Sequence, residues 1–367
     1  MTVYGKKSEA AAFFGLSVRL RRTPPTIAGG ISFFNTIILT KALINKHKCA
    51  KMLQKGGFFM QKLLSLVVTL ATFISALLGI HNTEDVGGFN KKDWMSRIDG
   101  SKYISEISIP GSHDSCALYE PLDNISKCQT YSVKDQLEMG VRFLDIRVFM
   151  LFGKDQISHG VILQGQRFRD MVKTCLDFLE ENPDETILFS VKEEQVVLSE
   201  QNVADLIAEI ISEDESKWFT ENRIPTLDEV RGKIVLVNRY SSYQYKGLMA
   251  TAFDGWENNM SFDITHWYYT IHVQDHYEMK NEQDIEEKWN EAKALFDMCR
   301  EEAYWQGNLY INFLSGNIGL IPNITKVSDF MNVRFEEYVK ETGKGSYGIV
   351  VADYVTTELC EQIIETN

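Results

Sequence analysis

Three features of the sequence predict an α/β barrel in a single catalytic domain. Short apolar runs recur from about residue 103 to the C-terminus, amphipathic stretches of helical period separate several of them, and ionisable residues follow almost every run. A chain of 367 residues, with 44% hydrophobic and 24% charged residues but only 7 Pro, can build a core of barrel size.

The runs lie at 107–109, 143–146, 157–158, 187–191, 234–237, 271–273, 309–314 and 349–352. Eight runs predict a closed or nearly closed parallel (β/α)8 barrel, with an irregular or open part at 240–269, where no helical period is visible. Helices are predicted where apolar residues return every three or four positions. Phe168, Met171, Val172, Cys175, Leu176 and Leu179 form one face that ends at Asn182-Pro183. Leu206, Ile207, Ile210 and Ile211 form a second, and Phe330, Val333, Phe335 and Val339 a third, before Gly343.

Charge divides the chain. Positions 1–62 hold eleven Lys or Arg and one acid, Glu9, whereas the rest holds 27 bases and 50 acids. So acidic a domain excludes a general nucleic-acid binder, which needs a basic footprint. At the join, MQKLLSLVVTLATFISALLGIHN begins at Met60, with an uncharged run at 63–80 and small residues Ser75, Ala76 and Gly79. That order predicts a signal peptide or signal anchor at 60–82, a basic extension at 1–59 outside the mature protein, a catalytic domain at 88–367, and secretion. Six Cys (49, 116, 128, 175, 299, 360) show no CxxC spacing, which excludes a zinc module of the usual kind. In an exported chain Cys116 and Cys128 could close a loop, with at least one thiol left over.

The residues that follow the runs carry the chemistry. They are His113-Asp114, Asp145 with Arg147, His159, Lys192 with Glu194, Arg239, Asp275 with Tyr277, and Asp353. In a barrel the C-terminal ends of the strands share one mouth, so residues spread over 240 positions would converge. Two imidazoles suit a base and an acid on either side of one centre, and a guanidinium suits a doubly oxygenated anion. Together they fit cleavage of a phosphodiester by internal transfer. Lys192 and Arg239 have a simpler reading as ion-pair partners. Asp145 reads as a partner of Arg147, and His266, His272 and His276 as structural or surface residues.

These residues lie in the segments ISIPGSHDS, QLEMGVRFLDIR, ISHG, FLEENPDETILFSVKEE, IPTLDEVRGKIVLVNRYS, VQDHY and IVVADYV. In order and spacing the chain resembles the bacterial phosphatidylinositol-specific phospholipase C (PLC X-domain) family over about residues 93–365. The resemblance implies a distorted, incompletely closed (β/α)8 TIM-type barrel. It implies that His113 takes the proton of the inositol 2-hydroxyl, that His159 protonates the diacylglycerol oxygen with help from Asp114, that Arg147 holds the phosphate, and that Asp353 orients His113. Lys192, Glu194, Arg239, Asp275 and Tyr277 would then recognise inositol. The products would be diacylglycerol and inositol 1,2-cyclic phosphate.

Calcium-dependent relatives carry an Asn after the first His and a carboxylate where Arg147 stands. With Asp114 and Arg147 at those positions the resemblance implies no cofactor and no required metal. The expected partner is phosphatidylinositol in membranes, with glycosylphosphatidylinositol anchors a second candidate substrate, no nucleic acid, and a monomeric enzyme. Leu118, Tyr119, Leu122, Ile125, Ile318, Leu320 and Ile321 are candidates for interfacial contact, with burial as loop anchors the alternative. Two other functions compete. A metal-dependent glycerophosphodiester phosphodiesterase-like barrel would need a carboxylate cluster at Arg147, and an inactive inositol-headgroup binding protein would not need both His residues.

Overall fold

A computed structural model describes residues 91–121, 125–197, 202–240, 247–249, 256–302 and 307–367. The segments expected at 1–59 and 60–82, and Leu122, lie outside the described residues. In chain order the elements are β1 (Ile109–Ser112), α1 (Val133–Glu138), β2 (Phe143–Leu151), β3 (Lys154–His159), β4 (Ile162–Arg167), α2 (Phe168–Glu181), β5 (Ile187–Val197) and α3 (Val203–Glu213). There follow β6 (Trp218–Phe219), α4 (Leu227–Val230), β7 (Ile234–Arg239), β8 (Leu248–Met249), β9 (Ser261–Thr265), β10 (Thr270–Gln274), β11 (Glu278–Met279) and α5 (Glu282–Glu302). The chain ends with β12 (Asn308–Phe313), β13 (Asn317–Ile318), α6 (Ile324–Thr342), β14 (Ile349–Ala352) and α7 (Thr357–Glu365).

One curled sheet runs β6-β7-β5-β2-β1-β14-β12-β10-β9. Every neighbouring pair from β6 to β10 is parallel, and β9 is added antiparallel. Strands β1, β7 and β14 are buried along their whole length, as strands covered on both faces must be. The two ends of the sheet, β6 and β9, do not pair, so the barrel is open among the described residues. The break falls between β7 and β10 in the chain, where 240–269 lacked a helical period.

Three expectations need correction. The run at 157–158 does not form a parallel barrel strand: β3 returns antiparallel along β2, and β4 along β3. The eighth parallel strand is instead the two-residue β6, too short to register as a run. On the third helix, α6, Val333 points to solvent, because the buried stripe is Val327, Met331, Phe335 and Tyr338. The first and second helical faces pack as expected, α2 ending at Asn182 and α3 burying Leu206, Ile207, Ile210 and Ile211. Cys116 and Cys128 are buried free thiols, not a disulfide.

At the end of the barrel away from the strand C-termini, Arg142 is fully buried. Its Nε donates to Glu185 at 2.7 Å, and its other nitrogens donate to the carbonyls of Leu137, Val141 and Lys92. With every donor engaged, the charge is tolerated in the core and ties the segment before β1 to the strand ends.

Candidate active site

Sheet register brings the charged residues to one level. In the parallel ladders Arg147 on β2 is opposite Lys192 on β5, and Lys192 is opposite Arg239 on β7. Three cations therefore stand in a row across the mouth, where three side chains at equal height face the same way. Carboxylates separate them. Asp145 accepts from Arg239 Nη1 at 3.0 Å and Arg147 Nη2 at 3.1 Å, and also from the Asp114 backbone N–H at 3.1 Å. Glu194 Oε1 accepts from Arg147 Nη1 and Lys192 Nζ, both at 3.3 Å. Glu194 occupies a bulge, since Val148 pairs with Glu193 and Phe149 with Gln195. Despite burial, Arg147 and Arg239 hold the Asp145 carboxyl well below the usual range. Arg147 and burial together lower the Lys192 ammonium.

His113 follows β1 one step beyond the Ser112–Ala352 pair, which sets it beside Asp353, the residue after β14. Its Nδ1 lies 2.7 Å from Asp353 Oδ1 and its Nε2 lies 2.8 Å from Arg147 Nη2. Asp353 can only accept and Arg147 can only donate, so the proton sits on Nδ1 and the lone pair on Nε2. Gln129 Nε2 donates to the carbonyls of His113 and Ala352, fixing the backbone on both sides of the pair. Burial and Arg147 disfavour the imidazolium, but Asp353, with help from Asp145, outweighs them, so the pKa is raised above the ordinary histidine value.

His159 reaches the mouth by another route. Strand β2 runs four residues past Arg147, turns at Phe152-Gly153, and comes back as β3, whose last residue is His159. Its Nδ1 donates to the Ser126 carbonyl at 3.0 Å, leaving Nε2 for the cavity side, 3.9 Å from Asp114 Oδ2. Asp114 adopts a left-handed backbone (φ 38°), and both its carboxylate oxygens are buried without a hydrogen bond. Its Oδ2 lies 3.6 Å from Arg147 Nε. Burial raises its pKa against the pull of Arg147 and the two imidazoles. A strained backbone and an unsatisfied buried carboxylate together make Asp114 a candidate functional position.

A cavity of about 370 Å³ opens here, lined by His113, Arg147, His159, Lys192, Glu194, Arg239, Asp275, Tyr277 and Asp353. That volume suits a small polar headgroup. Every site residue read from the sequence is at this cavity except Asp114, which stands directly behind it. Asp275 and Tyr277 lie beyond the end of β10, in the segment that follows it. Sequence reasoning missed Trp256, whose ring supports Arg239 (Cζ 3.6 Å from the centroid) and whose Nε1 donates to Asp275 Oδ2 at 2.9 Å. It also missed Phe313, edge-on to His113, and Gln129. Trp256 lies in the stretch without periodicity, among several other aromatic residues, and nothing in the sequence singles it out.

Around the mouth, Tyr119, Phe152, Val161, Leu320 and Ile321 are exposed, while Ile318 is buried and Ile125 lines the cavity. Leu320 and Ile321 lie between the cavity-lining residues Asn317 and Pro322. Among the described residues no helix is long and apolar enough to cross a membrane.

The family described as "Phosphatidylinositol-specific phospholipase C, X domain" matches residues 101–240. A 1-phosphatidylinositol phosphodiesterase of Staphylococcus aureus is 30% identical over 302 residues, covering 75% of this chain and 94% of the relative. One of Listeria monocytogenes is 27% identical over 296 residues, covering 75% and 85%. In structure, a phosphatidylinositol-specific phospholipase C of S. aureus superposes with a TM-score of 0.67 at 26% identity, covering 76% of this chain and 98% of that one. The L. monocytogenes enzyme gives 0.62 at 24%, a likeness of fold. By the extent of the sequence match and by the open barrel that carries it, this chain belongs to the phosphatidylinositol-specific phospholipase C X-domain family.

Proposed function

We propose that the protein cleaves phosphatidylinositol to diacylglycerol and inositol 1,2-cyclic phosphate by intramolecular phosphoryl transfer. The observation that carries this is the pairing at His113, with a proton held on Nδ1 by Asp353 and a lone pair on Nε2 beside a phosphate-binding guanidinium. In the reaction a phosphate oxygen takes the Arg147 donors, which frees His113 Nε2 to accept the proton of the 2-hydroxyl. That oxygen attacks phosphorus. His159, protonated at Nε2 and steadied by Asp114, donates to the departing diacylglycerol oxygen. Lys192, Glu194, Arg239 and Asp275 bind inositol hydroxyls, and the Tyr277 ring covers an apolar face of the sugar.

No metal is required on this reading, since Arg147 supplies a fixed positive charge where a cation would otherwise be held. The apolar residues at the mouth, Tyr119, Phe152, Val161, Leu320 and Ile321, rest on the bilayer surface. Export from the segment at 60–82 places the enzyme outside the cell as a monomer. The decisive test is release of diacylglycerol from phosphatidylinositol vesicles, with and without a chelator, and phosphorus NMR of the soluble product. Expected are full activity in chelator and a cyclic phosphate. Binding of inositol phosphates without turnover would favour an inactive headgroup binder. Activity lost in chelator and restored by calcium would overturn metal independence.

A further inference from the structure

Cys128 touches no reacting atom in the proposed mechanism, but its thiol hydrogen-bonds the Asp353 carboxylate, a contact that Ser would keep, and it stands against the catalytic groups. Its thiol sulphur, the carboxylate of Asp114 and a ring nitrogen of His159 all lie within 4.8 Å of one another. Three further observations distinguish this cluster from a chance grouping. Asp114 is fully buried and neither of its oxygens accepts a hydrogen bond, so it offers unspent lone pairs. The Nδ1 of His159 is committed to the Ser126 carbonyl, which fixes the tautomer and turns Nε2 toward Asp114, the arrangement that metal-binding imidazoles adopt. The backbone of Cys128 is held at both ends, its N–H by Ala117 and its carbonyl by the Tyr354 N–H. A second grouping, His113, Cys128 and Asp353, shares the sulphur, but both nitrogens of His113 are already engaged.

From this geometry we infer an inhibitory zinc site formed by Asp114, Cys128 and His159. One sulphur, one imidazole nitrogen and one carboxylate oxygen form a donor set that favours zinc over calcium or magnesium, which prefer oxygen alone. Bonds of about 2.0–2.3 Å, only one of them to sulphur, imply ligand separations of roughly 3.3–3.6 Å in a tetrahedron, so the cluster closes by no more than about 1.5 Å. Water completes the fourth position. Binding releases the Cys128 thiol proton to solvent, while His159 binds neutral and Asp114 as the carboxylate, which leaves the site without net charge beside Arg147. Entry is past His159, which lines the cavity. The missing CxxC spacing excludes a zinc module only along the sequence; here the three ligands converge through space from 114, 128 and 159.

Inhibition rests on the proposed acid role of His159 and Asp114, since zinc would occupy the atoms that role needs. The test is equilibrium dialysis of the full chain against micromolar zinc chloride, beside Cys128→Ser and Cys128→Ala. The wild-type protein should bind one zinc more than either variant, and cobalt in its place should give a thiolate charge-transfer band that both variants lack. Zinc should suppress phosphatidylinositol cleavage reversibly, and the variants, active without zinc, should be at least about tenfold less sensitive. Equal zinc binding by all three proteins would overturn the site. Cys128-dependent binding that leaves turnover intact would overturn the inhibition. Failure of the zinc-free enzyme to cleave the lipid is a separate result that counts against the activity alone, because dialysis needs no substrate.

Discussion

Asp353 decides which nitrogen of His113 carries the proton, and so whether His113 can play the base role proposed for it. Asp353→Asn should lower kcat/KM by about three orders of magnitude or more, as loss of the orienting acid does in a hydrolytic triad. The acidic limb of the pH profile should also move. His113 must be neutral to accept a proton, and its pKa is raised, so the wild-type limb lies above the ordinary histidine value. Without Asp353, burial and Arg147 dominate, and the limb should shift to lower pH. A limb that stays put would show that another group sets it. Lys288 permits a second test. It is fully buried, donates to the carbonyls of His276 and Phe313 and to Gln274, and burial lowers its pKa to about 8. Below that pH both folded and unfolded chains are protonated and the cost of burying the charge is complete. Between about 8 and the ordinary lysine value only the unfolded chain stays protonated, so stability rises with pH, by up to about 3 kcal/mol. Denaturant titrations across that window should show this rise in the wild type and not in Lys288→Met. The convergence of the ten candidate residues was legible because each follows an apolar run. Trp256, Gln129 and Lys288 were not, because aromatic stacking, an amide on two carbonyls and a buried amine leave no pattern in a sequence.

The element that sequence reading misplaced is the β2–β3 hairpin. It delivers His159 by folding back from beyond the mouth, where a barrel strand was expected to rise to it. A short apolar run cannot disclose its own direction, whereas the buried faces of α2 and α3 were legible from apolar residues that return every three or four positions. Helix α5 escaped notice because its buried stripe of Ile285, Trp289, Ala292, Phe296 and Cys299 is interleaved with charge. The hairpin turn is a two-residue loop, since Leu151 pairs with Lys154, and both Phe152 (φ 48°) and Gly153 (φ 71°) are left-handed. Asn-Gly is the favoured sequence for such a turn, and Phe at its first position costs about 1–2 kcal/mol. Local strain kept at an exposed aromatic fits a working contact with lipid. Phe152→Asn should therefore raise Tm and weaken vesicle binding at once, whereas Gly153→Val should lower Tm. Calorimetry and vesicle sedimentation measure both. Tighter lipid binding by Phe152→Asn would remove Phe152 from the membrane face.

At the scale of the whole molecule, the open barrel explains both the site and its approach to lipid. Parallel register levels three cations at the strand ends, and the loops that follow those strands form one rim, so the guanidinium proposed to bind phosphate and the apolar residues proposed to meet the bilayer share one end of the barrel. With 27 bases against 50 acids after residue 62, long-range attraction to anionic membranes is weak or repulsive, and attachment must come from apolar contact. Leu320 is fully exposed and Ile321 nearly so, which is costly in water unless something covers them. Full burial of such a side chain contributes about 1.5–3 kcal/mol, so partial insertion of two, reversed by two charges, should change partitioning at least about tenfold. The double variant Leu320→Asp, Ile321→Asp should accordingly bind neutral vesicles at least about tenfold more weakly, and added salt should restore little. Its hydrolysis of soluble cyclic inositol phosphate should fall much less than its cleavage of bilayer lipid, because the pair lies outside the cavity. Equal losses on both substrates would mean that the loop shapes the cavity, and undiminished vesicle binding would place the membrane face elsewhere on the molecule.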